Sequence, residues 1–302
     1  MEALVIHRGF GNKKQVFVSG HVFEQYSETV VDKKLSLFKT IRNNLKRYIN
    51  KPAKQVEVVL EMNGLEQKAT TNHKGFFQIA MDISHEAIGW YHFKVRVPTL
   101  ELTETAEYKI CDDESTGVIS DIDDTLLVSH SGIDLRKLYT YLSKGTNKRK
   151  PTAALNHILK HLSTYNNGVG TSDYFYVSNS EWNLYEFLLA FFDLNEIPKG
   201  VYLLNSIIHH PFDFFRKQGK SEVEGHKLKS FFQLLSVFPN KSFVLIGDTA
   251  QHDVQLFQRV LDKKAHQIKA ILLREVREKH LKKYAELEEK CAEKNITFEI
   301  FE

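Results

Sequence analysis

Residues 118–125 read Val118-Ile119-Ser120-Asp121-Ile122-Asp123-Asp124-Thr125. A short apolar run ends in Asp121, and Asp123 follows two positions later. In a strand, alternation sends Asp121 and Asp123 to the same side of the strand end. Two carboxylates held that close repel each other, and a hard cation such as Mg²⁺ offsets the repulsion. With the cation in place, one carboxylate can attack phosphorus while its neighbour moves a proton.

Downstream of this run the pattern is α/β. Candidate strands lie at 118–120, 174–177, 201–204, 242–246 and 268–272, with candidate helices at 152–162, 180–192, 227–238 and 253–261. Such alternation predicts an α/β fold built on a mostly parallel sheet covered on both faces. Ligands in this class sit beyond the C-terminal strand ends. The polar stretch 143–151 reads as an exposed loop. Residues 277–294 read as a charged docking helix, and 296–301 alternates like a last strand for one of the sheets.

Upstream, strand signals dominate. Residues 16–23 alternate around Gly20, 56–60 are β-branched and apolar, Asn63-Gly64 marks a turn, 70–77 read as strand, turn and strand, and 89–97 alternate up to Pro98. Short strands joined by such turns predict a small sandwich-like β-rich domain. The expected division is therefore 1–112, an accessory β-rich domain, and 113–302, an α/β domain. Within the first, 35–49 has helical spacing with Lys39, Arg42, Lys46 and Arg47. It reads as a helix covering a sheet with a solvated basic face, or as a surface that faces phosphate or membrane.

The chain has 302 residues, 42% of them hydrophobic, and a formal net charge of +3. That charge is too small to argue for nucleic acid, and none is expected as a partner. Cys111 and Cys291 are the only cysteines. They form no C-x-x-C motif and no disulfide framework, which fits a reducing compartment. The opening residues lack the basic start and sustained apolar segment of a signal peptide. No run reaches the roughly 18 apolar residues of a membrane span. The expected location is cytoplasmic, peripheral at a membrane where a lipid substrate is met.

Three further signals fall at element boundaries. In Tyr174-Phe175-Tyr176-Val177-Ser178-Asn179-Ser180 an apolar strand ends in a hydroxyl and an amide. Ser178 and the backbone N–H groups after it, beginning at Asn179, can donate to a phosphoryl oxygen, or a serine can cap the next helix. Lys227, placed at the start of a helix after Gly225-His226, can neutralise a phosphoryl group and an attacking carboxylate. In Phe243-Val244-Leu245-Ile246-Gly247-Asp248 a clean strand meets a glycine that permits a tight exit, then an acid that completes a cation site with Asp121. Asp253 opens the following helix. It can ligate through water, orient Lys227, or favour the helix N-terminus.

The order of these signals resembles the haloacid dehalogenase-like phosphotransferase superfamily, and more narrowly the family of the catalytic domain of the actin-patch-associated phosphatidate phosphatase. The residues that carry the likeness are Ile119 through Thr125, Tyr176 through Ser180 with Trp182, Leu184 and Tyr185, Pro198-Lys199-Gly200, His226-Lys227, and Phe238-Pro239 through Asp248 with Gln251 and Asp253. Ile271 through Val276 resembles the family's closing strand and its arginine. The resemblance implies a Rossmann-like sheet of haloacid dehalogenase type and a Mg²⁺-dependent phosphatase acting through an aspartyl-phosphate. Phosphatidate is the implied substrate. A soluble phosphate, or a noncatalytic scaffold that keeps the fold, are the rival readings.

Carried over, Asp121 is the nucleophile and a metal ligand. Asp123 is the general acid and then base, with its carbonyl on the metal. Ser178, Asn179 and Lys227 bind phosphate, and Asp248 is the remaining metal ligand. Thr125, Gly247 and Asp253 support them. The chain departs from the family pattern at Asn179, Glu181 and Asn205, where serine, proline and arginine are usual. These changes bear on the substrate more than on phosphoryl chemistry.

Overall fold

The computed structural model describes residues 1–26, 50–122, 173–194, 197–205, 220–249, 253–275 and 284–301. The helix expected at 35–49, the loop at 143–151, the helix at 152–162 and the residues Asp123, Thr125 and Gln251 lie outside the described residues.

Two sheets organise what is described. The first holds β1 (Ala3–Ile6), β2 (Gly9–Gly11), β3 (Gln15–Gln25), β4 (Lys51–Pro52), β5 (Glu57–Met62), β6 (Leu65–Thr70), β7 (Phe76–Asp82), β8 (Gly89–Val97) and β9 (Leu102–Ile110). Its path is β1-β3-β2-β9-β8-β5-β6, with β4 and β7 also on β3. The expected β-rich region is present, and hydrogen bonding joins its strands into one continuous, mixed sheet, because the eleven-residue β3 is long enough to pair with four different strands. The hairpin between β5 and β6 turns on Asn63 and Gly64, both at positive φ, as the Asn-Gly signal requires. Val16, Val18, Leu60, Phe77, Ile79, Val95 and Tyr108 fill the core of this sheet.

The second sheet is parallel throughout. Its order is β12-β11-β10-β13-β14-β15, formed by β10 (Thr116–Asp121), β11 (Asp173–Glu181), β12 (Val201–Asn205), β13 (Ser242–Asp248), β14 (Ile268–Arg274) and β15 (Thr297–Phe301). The last strand thus completes the α/β sheet, beside β14. The described helices are α1 (Tyr185–Leu194), α2 (Lys220–Val237), α3 (Asp253–Lys264) and α4 (Ala285–Glu293). None of the described helices is long and apolar enough to cross a membrane.

Alternation along the central strand divides the core. Ile119 packs with Phe231, Leu234, Leu235, Phe257 and Val260 from α2 and α3. Val118 packs on the other face with Tyr185, Leu188 and Phe192 from α1. Near-continuous apolar strands buried on both faces are what a parallel sheet needs. Residue 121 shares the parity of Ile119, so Asp121 points toward the side that α2 and α3 cover.

The bottom of the sheet is pinned by charge. Lys241 is fully buried and donates to Asp112 O at 2.5 Å, Ser115 Oγ at 2.6 Å and Asp173 Oδ2 at 2.6 Å. Lys109 of β9 reaches the other oxygen of Asp173, also at 2.6 Å. A Cβ on Gly117 would lie 2.7 Å from Lys241 Cε, so a glycine is needed for the lysine stem to cross there. Buried Cys111 lies beside this network. Burial, and secondarily Asp173, raise its thiol pKa well above the ordinary value.

Candidate functional site

Four of the expected residues meet at the C-terminal ends of β10 and β13. The two strands are neighbours, with Ser120 opposite Ile246, so Asp121 and Asp248 end side by side. Asp121 is 2% exposed, Asp248 0%, Asp253 1% and Lys227 5%. Oxygen atoms of Asp121, Asp248 and Asp253 all lie within 4.8 Å of one another. Lys227 Nζ sits 2.8 Å from Asp121 Oδ1 and 2.9 Å from Asp253 Oδ1.

The helices deliver these groups by helical spacing. Lys227, Phe231, Leu234 and Leu235 follow an i, i+4, i+7, i+8 spacing, so the face of α2 that packs on the sheet also carries the lysine to the strand ends. Asp253, Phe257, Val260 and Leu261 repeat that spacing on α3. The expected helix start at Lys227 is corrected, because α2 begins seven residues earlier and Lys227 lies inside it. Gly225, within that helix, faces open space.

Gly247 has a packing role. A Cβ there would lie 2.7 Å from Asp253 Oδ2 and 2.9 Å from Phe257 Cζ. Its absence lets the start of α3 close on the strand end. The Asp248 backbone N–H then donates to Asp253 Oδ2 at 3.3 Å. Asp253 therefore both pairs with Lys227 and holds the β13 exit, while its place at the first turn of α3 suits the helix dipole.

Ser178 and Asn179 lie on the next strand. Val177 is opposite Asp121, so Ser178 is one position beyond the level of Asp121, and it is fully buried. Against β12 the register jumps from Ser178–Leu204 to Glu181–Asn205. Asn179 and Ser180 are thus extra residues without counterparts in β12, a bulge that re-aims backbone at a strand end. The buried Asn179 Oδ1 has no hydrogen-bond partner among the described residues. The expected helix start near 180 is also corrected: β11 runs on to Glu181, a single 3-10 turn covers Trp182–Leu184, and α1 follows.

Two neighbours were not assigned a role from sequence. Arg274 lies opposite Asp248 on β14, is largely buried, and its carbonyl accepts from Thr249 N at 3.0 Å. A strand that ends in arginine beside one that ends in aspartate was the available signal. His226 Nε2 is 3.5 Å from Leu203 O, and burial lowers its pKa. Asp123 and Thr125 lie outside the described residues.

Chemically, three buried carboxylates against one ammonium make an oxygen-rich, electronegative cluster. That donor set fits a hard divalent cation. Residues 116–275 match the model of the phosphatidate phosphatase APP1 catalytic domain. Phosphatidate phosphatase APP1 of Saccharomyces cerevisiae is 27% identical over 175 residues, covering 57% of this chain and 28% of that protein. The chain thus spans little more than a quarter of that relative. Solved structures give only loose likeness. A carbohydrate acetylesterase from Xanthomonas citri aligns at TM-score 0.32 and 10% identity over 91% of this chain and 68% of its own. A ferredoxin-NADP+ reductase from Plasmodium falciparum aligns at TM-score 0.24 and 10% identity over 89% and 94%. The family match runs from the first residue of β10 to just past the end of β14, over half of the chain, and takes in every carboxylate of the cluster. The chain belongs to the phosphatidate phosphatase APP1 catalytic-domain family.

Proposed function

We propose that this chain is a Mg²⁺-dependent phosphomonoester hydrolase of haloacid dehalogenase type, with phosphatidate as its substrate. In this reading residues 113–302 form the phosphatase domain and residues 1–112 an accessory β-rich domain. The observation that carries it is the buried Asp121, Asp248 and Asp253 cluster with Lys227 reaching into it. Phosphatidate is carried over from the name of the yeast relative. The encounter with such a substrate takes place at a membrane surface, with the protein peripheral and cytoplasmic.

Asp121 and Asp248, with the carbonyl of Asp123, would hold Mg²⁺. When bound, the ion supplies charge neutralisation for the phosphoryl oxygens. The Asp121 carboxylate attacks phosphorus in line, and the bond from phosphorus to the leaving oxygen breaks as Asp123 protonates that oxygen. Asp123 then takes a proton from water. The water attacks the aspartyl-phosphate, releasing inorganic phosphate and restoring Asp121. Lys227 orients Asp121 and offsets charge on the transferred group, while Ser178 and Asn179 donate to its oxygens. Thr125 is the supporting residue of this reading.

The test is phosphate release from phosphatidate in mixed micelles, with Mg²⁺ or with chelator, beside a panel of soluble sugar and nucleotide phosphates. Mg²⁺-dependent turnover that Asp121→Asn abolishes while the protein stays folded is the expected result. Faster turnover of a soluble phosphate would reverse the substrate assignment. Absence of Mg²⁺-dependent turnover on the whole panel would sink the enzyme reading in favour of a scaffold.

A further inference from the structure

The strand that carries Ser178 does not end free. One residue past β11, Trp182 leaves the α/β sheet and joins a small apolar cluster with Val5 and Phe23 of the first sheet. The His21 ring stacks on Trp182 at 4.3 Å between centroids and 26° between planes. Phe23 stacks on it at 4.9 Å and 26°. His7 lies 5.4 Å from His21 and 4.9 Å from Tyr185, and the Arg8 backbone N–H donates to the Tyr185 hydroxyl at 2.8 Å. His21, Phe23 and Trp182 are all 5% exposed or less.

This contact sits directly behind the bulge at Asn179 and Ser180. Inside a bulge the β12 ladder does not fix the chain, so its course is set by what anchors its far end. The chain returns to the ladder at Glu181, opposite Asn205, and Trp182 anchors it one residue beyond; the partners of Trp182 come from a strand 161 residues earlier. Neither ring nitrogen of His21 has a hydrogen-bond partner among the described residues, so the ring acts there as an aromatic plate.

We propose that His21 and Phe23 are positioning residues for phosphate binding: by clamping Trp182 they fix the Ser178–Glu181 segment, making the N-terminal sheet part of the catalytic unit. The turnover half of this inference rests on the phosphatase reading, and the mechanical half does not.

The test compares His21→Ala, His21→Phe, Phe23→Leu and, as a control, Val58→Ala. Val58 is a buried β5 residue in the core of the first sheet. Two readouts are taken on folded full-length protein: hydrogen exchange of the backbone at residues 176–185, and kcat and KM with the inhibition constant of inorganic phosphate. In His21→Ala and Phe23→Leu, exchange at 176–185 should accelerate. Phosphate should bind more weakly and kcat/KM should fall, on the order of 10–100-fold for a displacement near 1 Å. His21→Phe should restore both, and Val58→Ala should lower Tm while leaving both unchanged. Unchanged exchange in His21→Ala and Phe23→Leu overturns the proposal. So does faster exchange with wild-type kcat/KM and phosphate affinity. If the wild type turns over no phosphate monoester yet exchange follows the pattern above, the phosphatase reading fails and the clamp on β11 stands.

Discussion

Lys227 Nζ is shared between Asp121 Oδ1 at 2.8 Å and Asp253 Oδ1 at 2.9 Å, so one buried ammonium joins a strand end to a helix start. Removing a partner from a buried charge set leaves the remaining charges uncompensated, which costs about 3–5 kcal/mol. Lys227→Met should therefore lower the melting temperature of the metal-free protein. The same change makes the cluster more negative, so added Mg²⁺ should raise Tm more in the variant than in the wild type. Thermal scans with Mg²⁺ and with EDTA check both statements.

Asp248→Asn keeps the shape of the β13 exit and removes one carboxylate from the cation site. Affinity for Mg²⁺, followed by calorimetry or by the Mg²⁺ dependence of turnover, should fall at least tenfold, equivalent to about 1.4 kcal/mol. Stability without metal should hold or rise, because carboxylate repulsion is relieved.

Gly247→Ala puts a methyl group where Asp253 Oδ2 and Phe257 already are. Overpacking of this kind costs about 1–3 kcal/mol. The displaced group is Asp253, so the variant should lose turnover beyond what its stability loss explains. Denaturant melts together with kcat/KM separate the two effects.

Lys241→Met tests the opposite end of the sheet. It leaves Lys109 as the cation paired with Asp173 among the described residues, and it removes the lysine's hydrogen bonds to Asp112 O and Ser115 Oγ, which keep the bond from Ser115 Oγ to Asp112 O. The expected loss is about 3–5 kcal/mol by urea unfolding. Turnover per folded molecule should stay near wild type, because the network lies at the N-terminal strand ends.

Burial depresses the pKa of His7 to about 4 and that of His21 well below the ordinary value, with the charge of His7 adding to the second. A histidine whose folded pKa lies below its unfolded value binds its proton preferentially in the unfolded state. Stability from this pair is thus fully present above pH 6.5 and is lost as the pH falls toward 4. For His7 alone the loss is on the order of 3 kcal/mol. Urea midpoints across pH 4–7 should drop on acidification, and His7→Phe with His21→Phe should flatten that slope.

What the sequence disclosed was local in character. Asp121, Ser178 and Asp248 each end an apolar run, and a polar group closing a parallel strand has few places to be except the ligand edge. Lys227 was legible as a cation near a helix but not as an interior position, since the polar turn from Lys220 to Glu224 carries no apolar period. The strand β9 passed unread because Thr103, Glu104 and Thr105 are exposed and mask its alternation. The contacts of Asp173 with Lys109 and Lys241, and of Trp182 with His21, join positions 64 or more residues apart. Nothing in the neighbourhood of any of these residues announces its partner.

The bulge in β11 has one more consequence. Between Ser178–Leu204 and Glu181–Asn205 one strand advances three positions while the other advances one. The surplus is two, a whole period of strand alternation, so the backbone register resumes in phase. Lengthening or shortening this segment by pairs would leave the sheet in frame, whereas a single-residue deletion would break the pairing of Glu181 with Asn205 and shift the exit toward Trp182. The rim that carries Ser178 and Asn179 can therefore vary by even steps while the strands beneath it stay in register.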